Sequence, residues 1–190
     1  MTEVRPTDSE TRAGREERPV LSVRGLEVQV ATAAGGKSVV EELSFDLEAG
    51  ETLALAGESG SGKSMTALAI MGLLPQPMTR ITGGSIRLGE TELTGLDERA
   101  YRKIRAARVG MIFQEPMTSL NPLMTVESQI VETLLEHDIC ARSETPARAL
   151  RLLEDVRLTE PKRRLKQYPH ELSGGMRQRV MIAIALACDP

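Results

Sequence analysis

Residues 57–64 read Gly-Glu-Ser-Gly-Ser-Gly-Lys-Ser and match the pattern G-x-x-x-x-G-K-[ST]. In this pattern, backbone N–H groups surround nucleotide phosphates, the lysine reaches the β- and γ-phosphate oxygens, and the final hydroxyl binds Mg²⁺. The apolar run 52–56 predicts a buried strand before the motif, and residues 64–74 predict a helix stopped by Pro75. A strand–loop–helix context favours a nucleotide site over a flexible Gly/Ser linker. The candidate phosphate-binding residues are Gly57, Glu58, Ser59, Gly60, Ser61, Gly62, Lys63 and Ser64.

A second glycine-rich stretch, residues 172–179, reads Leu-Ser-Gly-Gly-Met-Arg-Gln-Arg and precedes an apolar run, residues 180–188. The pattern predicts the start of a helix, where backbone N–H groups are unpaired and carry the positive end of the helix dipole. Glycines there let a phosphate approach the backbone closely. Taken alone, the stretch is equally compatible with an ordinary capped helix.

The composition is that of a soluble globular protein. The 190 residues suffice for one domain with a sizeable core, and 27% are charged with a net charge of −3. Two Phe, two Tyr and no Trp leave little material for stacking bases, and no basic excess suggests a nucleic-acid partner. The two cysteines have no metal-ligand spacing, which favours a reducing compartment. The basic cluster 162–166 is typical of a solvated surface.

The N-terminal part predicts an antiparallel sheet. Residues 1–18 are charged and predict a disordered tail, with a single domain over residues 19–190. Residues 21–30 alternate apolar and polar with a phase slip at Gly25, which predicts a strand with a bulge. A loop over 31–37 and a second strand ending near Gly50 follow, and residues 83–93 predict a hairpin.

The later part predicts one more buried strand and then helices. Residues 97–107 predict a helix, and residues 109–113 a buried strand. Beyond Thr125 the pattern is helical, with Val126, Ile130 and Leu134 on one face.

The two glycine-rich motifs together resemble those of the ATP-binding-cassette (ABC) ATPases, in which a P-loop is followed by a signature of LSGGQ type. The resemblance covers the chain from about Leu21 to its last residue. Residues 113–122, Phe-Gln-Glu-Pro-Met-Thr-Ser-Leu-Asn-Pro, and residues 168–171, Tyr-Pro-His-Glu, are similar to the ATPases of oligopeptide, dipeptide and nickel importers. The resemblance implies an α/β P-loop NTPase core with an N-terminal antiparallel β portion and a helical insert at about 116–171.

The resemblance also implies roles for individual residues. ATP and Mg²⁺ would bind at residues 57–64, with Lys63 and Gln114 taking part in catalysis and Ser64 and Gln114 in the metal shell. The signature residues Ser173, Gly174 and Gly175 would bind the γ-phosphate held by an opposite ATPase subunit. The implied partners are membrane permease subunits, docked at the 117–122 loop, and a second ATPase, preferably a different one. No nucleic acid is implied, and the location would be peripheral, at the cytoplasmic face of the membrane.

Two departures from the family pattern lead to expectations about the properties of this chain. Family members place an aromatic residue after the first strand to stack on adenine, whereas this chain has Val30, followed by Ala31. Losing one base–aromatic contact costs about 1–3 kcal/mol by analogy with nucleic-acid stacking. Weaker adenine discrimination is therefore expected.

The second departure lies at the C-terminus. The chain ends at Pro190, where the family continues into an apolar strand ending in Asp-Glu and, later, a switch histidine. The expectation is a C-terminally truncated chain that does not hydrolyse ATP alone and aggregates readily, because the strand 52–56 would lack a neighbour. Two interpretations stay open: an energy-coupling importer subunit, or a non-hydrolysing nucleotide-binding or dimerisation module. A soluble ABC ATPase of DNA repair or translation is disfavoured by the importer-like 113–122 stretch.

Overall fold

A computed structural model describes residues 18–33, 35–114 and 119–190. The chain divides into two compact units, the first ending at Leu96 and the second beginning at Asp97. The predicted disordered tail, residues 1–18, lies outside the described part except for Arg18, which donates a hydrogen bond to the carboxylate of Glu90. No helix in the described ranges is long and apolar enough to cross a membrane.

The first unit contains a four-stranded antiparallel sheet with the strand order β2-β1-β3-β4. Its strands are β1 (Leu21–Thr32), β2 (Gly35–Leu47), β3 (Thr79–Leu88) and β4 (Thr91–Glu92). The predicted antiparallel portion and the hairpin are thereby confirmed. The predicted 31–37 loop is shorter than expected, because the ladder of β1 and β2 continues to the pair Thr32 and Gly35.

The predicted bulge in β1 is confirmed at Gly25, which has a φ of +53°. The register shifts between Val23, which pairs with Phe45, and Leu26, which pairs with Leu43. The slip changes which residues face inward, since Val23 and Leu26 are both fully buried although an uninterrupted strand would point them to opposite faces.

Helix α1 (Lys63–Ile70) follows the glycine-rich loop, as predicted. The preceding segment 52–56 is not a strand, and Leu53 and Leu55 are each 40% exposed, so the prediction of a buried strand is wrong here. A central strand needs hydrogen-bonded neighbours on its backbone, and no described strand pairs with this segment.

The second unit is helical. Its helices are α2 (Glu98–Ile104), α3 (Val126–Glu136), α4 (Thr145–Asp155), α5 (Pro161–Arg164) and α6 (Gly174–Ala185), with a 3₁₀ turn at Pro169–Glu171. The predicted inward face of α3 is confirmed, since Val126, Ile130 and Leu134 are fully buried in a core shared with α4 and α6.

The predicted strand 109–113 in the second unit is wrong for the same physical reason as segment 52–56. Val109 makes a single bridge to Arg105, and the following Ile112 and Phe113 are 51% and 43% exposed. The parallel strands expected of the α/β core are therefore not formed among the described residues.

Candidate nucleotide-binding site

The loop before α1 has the backbone geometry that its glycines predict. Gly60 and Gly62 have φ values of +85° and +87°, in the left-handed region that favours glycine. Gly62 is also buried against β2: a Cβ atom on it would overlap the carbonyl oxygen of Val39 and lie 3.0 Å from Cγ2 of Val40. Only glycine satisfies both constraints at position 62, so the loop is fixed against the sheet at this point.

The ammonium group of Lys63 lies across the loop that precedes it. Nζ donates hydrogen bonds to the carbonyl oxygens of Gly57 (2.7 Å) and Glu58 (2.6 Å) and to Oγ of Ser61 (3.1 Å). The loop thus bends around the cation and holds it near the start of α1. A nucleotide phosphate placed at this helix start would meet a positive charge already directed toward it.

The first turn of α1 carries no side-chain cap. Its N-cap residue is Gly62, and no side chain there accepts a hydrogen bond from the helix backbone. Ser64 is exposed in the same turn, which leaves its hydroxyl accessible to a metal ion. Backbone donors, one ammonium and one hydroxyl form a donor set that fits a phosphate group with its Mg²⁺.

The second motif also begins a helix, as predicted. Ser173 is the N-cap of α6, and its Oγ accepts a hydrogen bond from the backbone N–H of Met176 at 3.4 Å. Gly174 and Gly175 are exposed, and a Cβ atom on either would meet nothing within 4 Å. The surface beside these glycines is therefore open to a ligand or a partner.

The arginines of this motif have structural partners in their own unit. Nε of Arg177 donates to the carbonyl oxygens of Pro169 (2.7 Å) and Leu172 (3.0 Å), which fixes the turn that enters α6. Arg179 donates through Nη1 to the carbonyl oxygens of Val156 (2.8 Å) and Arg157 (2.7 Å), at the C-terminal end of α4. A cation is favourable at a helix C-terminus, so Arg179 stabilises the packing of α6 against α4.

The stretch before the signature is stabilised by its own side chains. Glu171 accepts a hydrogen bond from the backbone N–H of Tyr168 at 2.8 Å, and the rings of Tyr168 and His170 stack with centroids 5.6 Å apart. Leu172 is buried in the helical core. The sequence similarity of this stretch to importer ATPases thus corresponds to a defined turn.

The predicted metal ligands lie in different units. Ser64 belongs to the first unit and Gln114, which is exposed, to the second. Within the described ranges, no group of three or more His, Cys, Asp or Glu side chains could hold a metal ion. A magnesium site built on Ser64 and Gln114 therefore stays a prediction.

The predicted permease-docking loop, 117–122, is described only from Ser119 onward. A residue that the sequence reasoning missed, Gln129, holds this described part in place. Its buried amide accepts from the N–H of Asn121 (2.9 Å) and donates to the carbonyl oxygens of Asn121 and Met124 (3.1 Å each). The available signal was a glutamine on α3 between the core residues Val126 and Ile130, a position where a buried polar group needs partners.

Comparison with known proteins gives results that agree on one family. A family model described as ABC transporter matches residues 40–190. The chain is 47% identical over 184 residues to the oligopeptide transport ATP-binding protein OppD of Salmonella typhimurium, covering 97% of this chain and 54% of that protein. It is 52% identical over 151 residues to the oligopeptide transport ATP-binding protein AppD of Bacillus subtilis, covering 80% of this chain and 46% of that protein. The chain thus spans about half the length of these relatives.

A solved structure gives the same result at the level of the fold. The dimeric structure of the ATP-binding cassette MJ0796 in a post-hydrolysis state, bound to ADP and Pi, matches with a TM-score of 0.78 and 28% identity. The match covers 90% of this chain and 70% of that one. The described residues therefore correspond to part of an ABC ATPase fold.

Proposed function

The chain belongs to the ABC transporter family, and from this premise we propose that it is the ATP-binding, energy-coupling part of a membrane importer for peptides or similar small solutes. The observation that carries the proposal is the loop at 57–64, which holds the ammonium of Lys63 beside the uncapped start of α1. The relatives named as oligopeptide and dipeptide transport ATP-binding proteins support the substrate class.

In this proposal the phosphates bind at the start of α1. The N–H groups of the first turn donate to phosphate oxygens, and Lys63 exchanges the carbonyl oxygens of Gly57 and Glu58 for phosphate oxygens. Ser64 and Gln114 are the residues that would supply oxygen ligands to Mg²⁺, and the metal would neutralise charge on the phosphates. Gln114 would also orient the attacking water, and its neutral side chain suits both tasks.

The second motif acts on a partner's nucleotide. Ser173, Gly174 and Gly175 present an exposed helix start, which suits the γ-phosphate of a nucleotide bound to a second ATPase subunit. The dimeric state of the structural relative supports such an arrangement. We expect the second subunit to be a different ATPase, the further partners to be membrane permease subunits, and the pair to lie peripherally at the cytoplasmic face.

The test is the substitution Lys63→Ala, with Lys162→Ala, an exposed lysine on α5, as the control of equal charge. The proposal predicts that Lys63→Ala weakens ATP binding at least about tenfold, because a charge-assisted contact to phosphate is lost, and that it abolishes importer-dependent peptide uptake. The control keeps both properties.

Two results would change the proposal. Nucleotide binding that depends on Lys63, without any dependence of peptide uptake on it, would favour the non-hydrolysing nucleotide-binding or dimerisation module. Equal binding by the wild type and Lys63→Ala would contradict a phosphate site at 57–64 altogether.

A further inference from the structure

A cleft of about 500 Å³ opens in the second unit, away from both glycine-rich motifs in the sequence. One side of the cleft is formed by Arg99, Arg102 and Lys103 of α2, here called the basic wall. The other side carries Glu136, in the last turn of α3, and Asp138, just beyond that helix, here called the acidic wall. The volume lies within the range of small-molecule sites, about 300–1,000 Å³. The cleft therefore has the size of a ligand site and a lining that suits a charged ligand.

The cations of the basic wall share one face of α2. Arg102 and Lys103 follow Arg99 by three and four residues, so the three side chains are neighbours on the helix surface. All three are exposed, whereas Tyr101 and Ile104 are buried on the other side of the helix. Like charges at this spacing repel one another, so the wall concentrates positive charge that an anionic group would stabilise.

The two carboxylates at the start of α2 do not neutralise the basic wall. Asp97 accepts a hydrogen bond from the backbone N–H of Ala100 at 2.7 Å, as the N-cap of the helix. Glu98 accepts from Arg105 through both carboxylate oxygens, at 2.7 and 3.1 Å. In the described ranges, no carboxylate lies within 4.0 Å of a charged nitrogen of the basic wall. These three cations are therefore left for another partner.

The acidic wall has the opposite need. Glu136 and Asp138 are exposed, and neither makes an ion pair with any residue that the structure describes. They stand at the C-terminal end of α3, where the helix carbonyl groups carry the negative end of the dipole and a carboxylate is unfavourable. A cation placed at this wall would be stabilised by the carboxylates and by the helix end together. The cleft thus separates two walls of opposite charge, and neither wall neutralises the other.

We propose that the cleft binds a short linear peptide with free termini, its carboxylate on the basic wall and its ammonium on the acidic wall. The guanidinium groups of Arg99 and Arg102 match a carboxylate through paired hydrogen bonds. The carboxylates of the acidic wall accept hydrogen bonds from the three N–H donors of an ammonium group. A ligand with both charges satisfies both walls, whereas a simple anion would face the acidic wall unpaired. This site shares no residue with the nucleotide site and goes beyond the proposed function.

The experiment titrates the full chain with trialanine by ligand-observed NMR, in parallel with N-acetylated and C-amidated trialanine. We expect trialanine to bind with a Kd of the order of 1 mM, because ion pairs at exposed sites are weak. Acetylation should weaken binding roughly threefold and amidation roughly tenfold, since the carboxylate meets more than one cation. The double variant Arg99→Gln with Arg102→Gln should weaken trialanine roughly tenfold and leave the amidated form almost unchanged.

Two further variants identify the source of the effect. Arg142→Gln with Arg151→Gln removes two exposed arginines of the same unit that do not line the cleft, so the net charge changes equally and trialanine binding should not change. Asp138→Asn tests the acidic wall. Asp138 has a φ of +52°, a conformation that asparagine tolerates, so the substitution removes the charge and keeps the backbone. It should weaken trialanine roughly threefold and leave the N-acetylated form unchanged.

The outcomes decide for or against a site for a ligand with two charged ends. Equal binding of trialanine and its blocked forms would overturn the proposal, as would equal losses in the cleft variant and its arginine control. Inorganic phosphate that binds as tightly as trialanine and displaces it would also overturn the proposal, because the site would then be one for simple anions. ATP titrations of the same samples keep the two proposals apart. Trialanine binding without ATP binding would support this site and contradict the proposed function.

Discussion

The two glycine-rich helix starts of this chain differ in how they are supported. The loop before α1 is held through backbone atoms: Gly62 is confined against the carbonyl oxygen of Val39 in β2, and Lys63 donates to carbonyl oxygens of the loop that precedes it. The turn before α6 is held by side chains of the motif itself, since Ser173 caps the helix and Arg177 holds the entering turn. The same chemical property, a positive helix start with close backbone access, is therefore obtained in two ways.

The difference shows where each site is sensitive. In the phosphate loop, a glycine is required for steric and conformational reasons, while the preceding segment 52–56 is exposed and contributes little packing. In the signature turn, the glycines stand in open space, while the side chains around them are packed or bonded. An added methyl group should therefore disturb only the start of α1. Loss of a side chain should disturb only the start of α6.

The largest expected effect comes from one methyl group added at the start of α1. Gly62→Ala places a Cβ on a left-handed residue and against the carbonyl oxygen of Val39, so the loop must move away from β2. Strain of this kind costs about 1–3 kcal/mol, and we expect nucleotide affinity to fall by roughly 10- to 100-fold as the loop relaxes out of position. Titration with a fluorescent ATP analogue measures the loss.

Gly174→Ala is the matched change in the other start. It adds the same methyl group to a helical residue with no atom within 4 Å, so it should leave the chain's own ATP affinity intact. It should also raise the free energy of unfolding by up to about 1 kcal/mol, because alanine is the better helix former. Similar losses of affinity in both variants would remove the distinction between the two starts.

An intermediate effect is expected from Arg177→Met. The change removes the hydrogen bonds of Nε to the carbonyl oxygens of Pro169 and Leu172 and leaves an apolar stem of similar bulk. Hydrogen bonds from a charged donor contribute about 1.5–3 kcal/mol, so we expect the free energy of unfolding to fall by about 2 kcal/mol in urea titrations. Nucleotide binding at residues 57–64 should not change.

The exposed neighbour Gln178 provides the control for this variant. Gln178→Ala should change stability by less than about 0.5 kcal/mol, as is usual for surface positions. An Arg177→Met variant as stable as the wild type would contradict the stabilising role of this guanidinium in the signature turn.

Local sequence signals predicted both helix starts, because a glycine loop and a Ser-Gly-Gly turn act over a few residues. The bulge at Gly25 and the inward face of α3 were predictable for the same reason, since alternation and helical periodicity are short-range patterns. Segments 52–56 and 109–113 were not, because an apolar run indicates a buried strand only when other strands exist to pair with it.

The hydrogen-bond partners of individual side chains could not be predicted from the sequence either. No sequence pattern indicated a partner for Arg177, whose guanidinium donates to backbone carbonyl oxygens in the structure. Gln129 carried no motif, yet it fixes the loop at Asn121. Both roles depend on which carbonyl groups the fold leaves unpaired, and that depends on tertiary packing.

The smallest expected effect tests the cap of α6. Ser173→Ala removes an acceptor whose hydrogen bond to Met176 is long, at 3.4 Å, so the loss should lie near 0.5 kcal/mol, the low end for N-caps. Thr125→Ala on α3 is the comparison, because Oγ1 of Thr125 bonds the N–H of Ser128 at 3.2 Å and also contacts the hydroxyl of Ser128 at 2.8 Å. That variant should lose about 1 kcal/mol in the same urea titration. A larger loss for Ser173→Ala than for Thr125→Ala would contradict the weak cap that the long Ser173–Met176 hydrogen bond indicates.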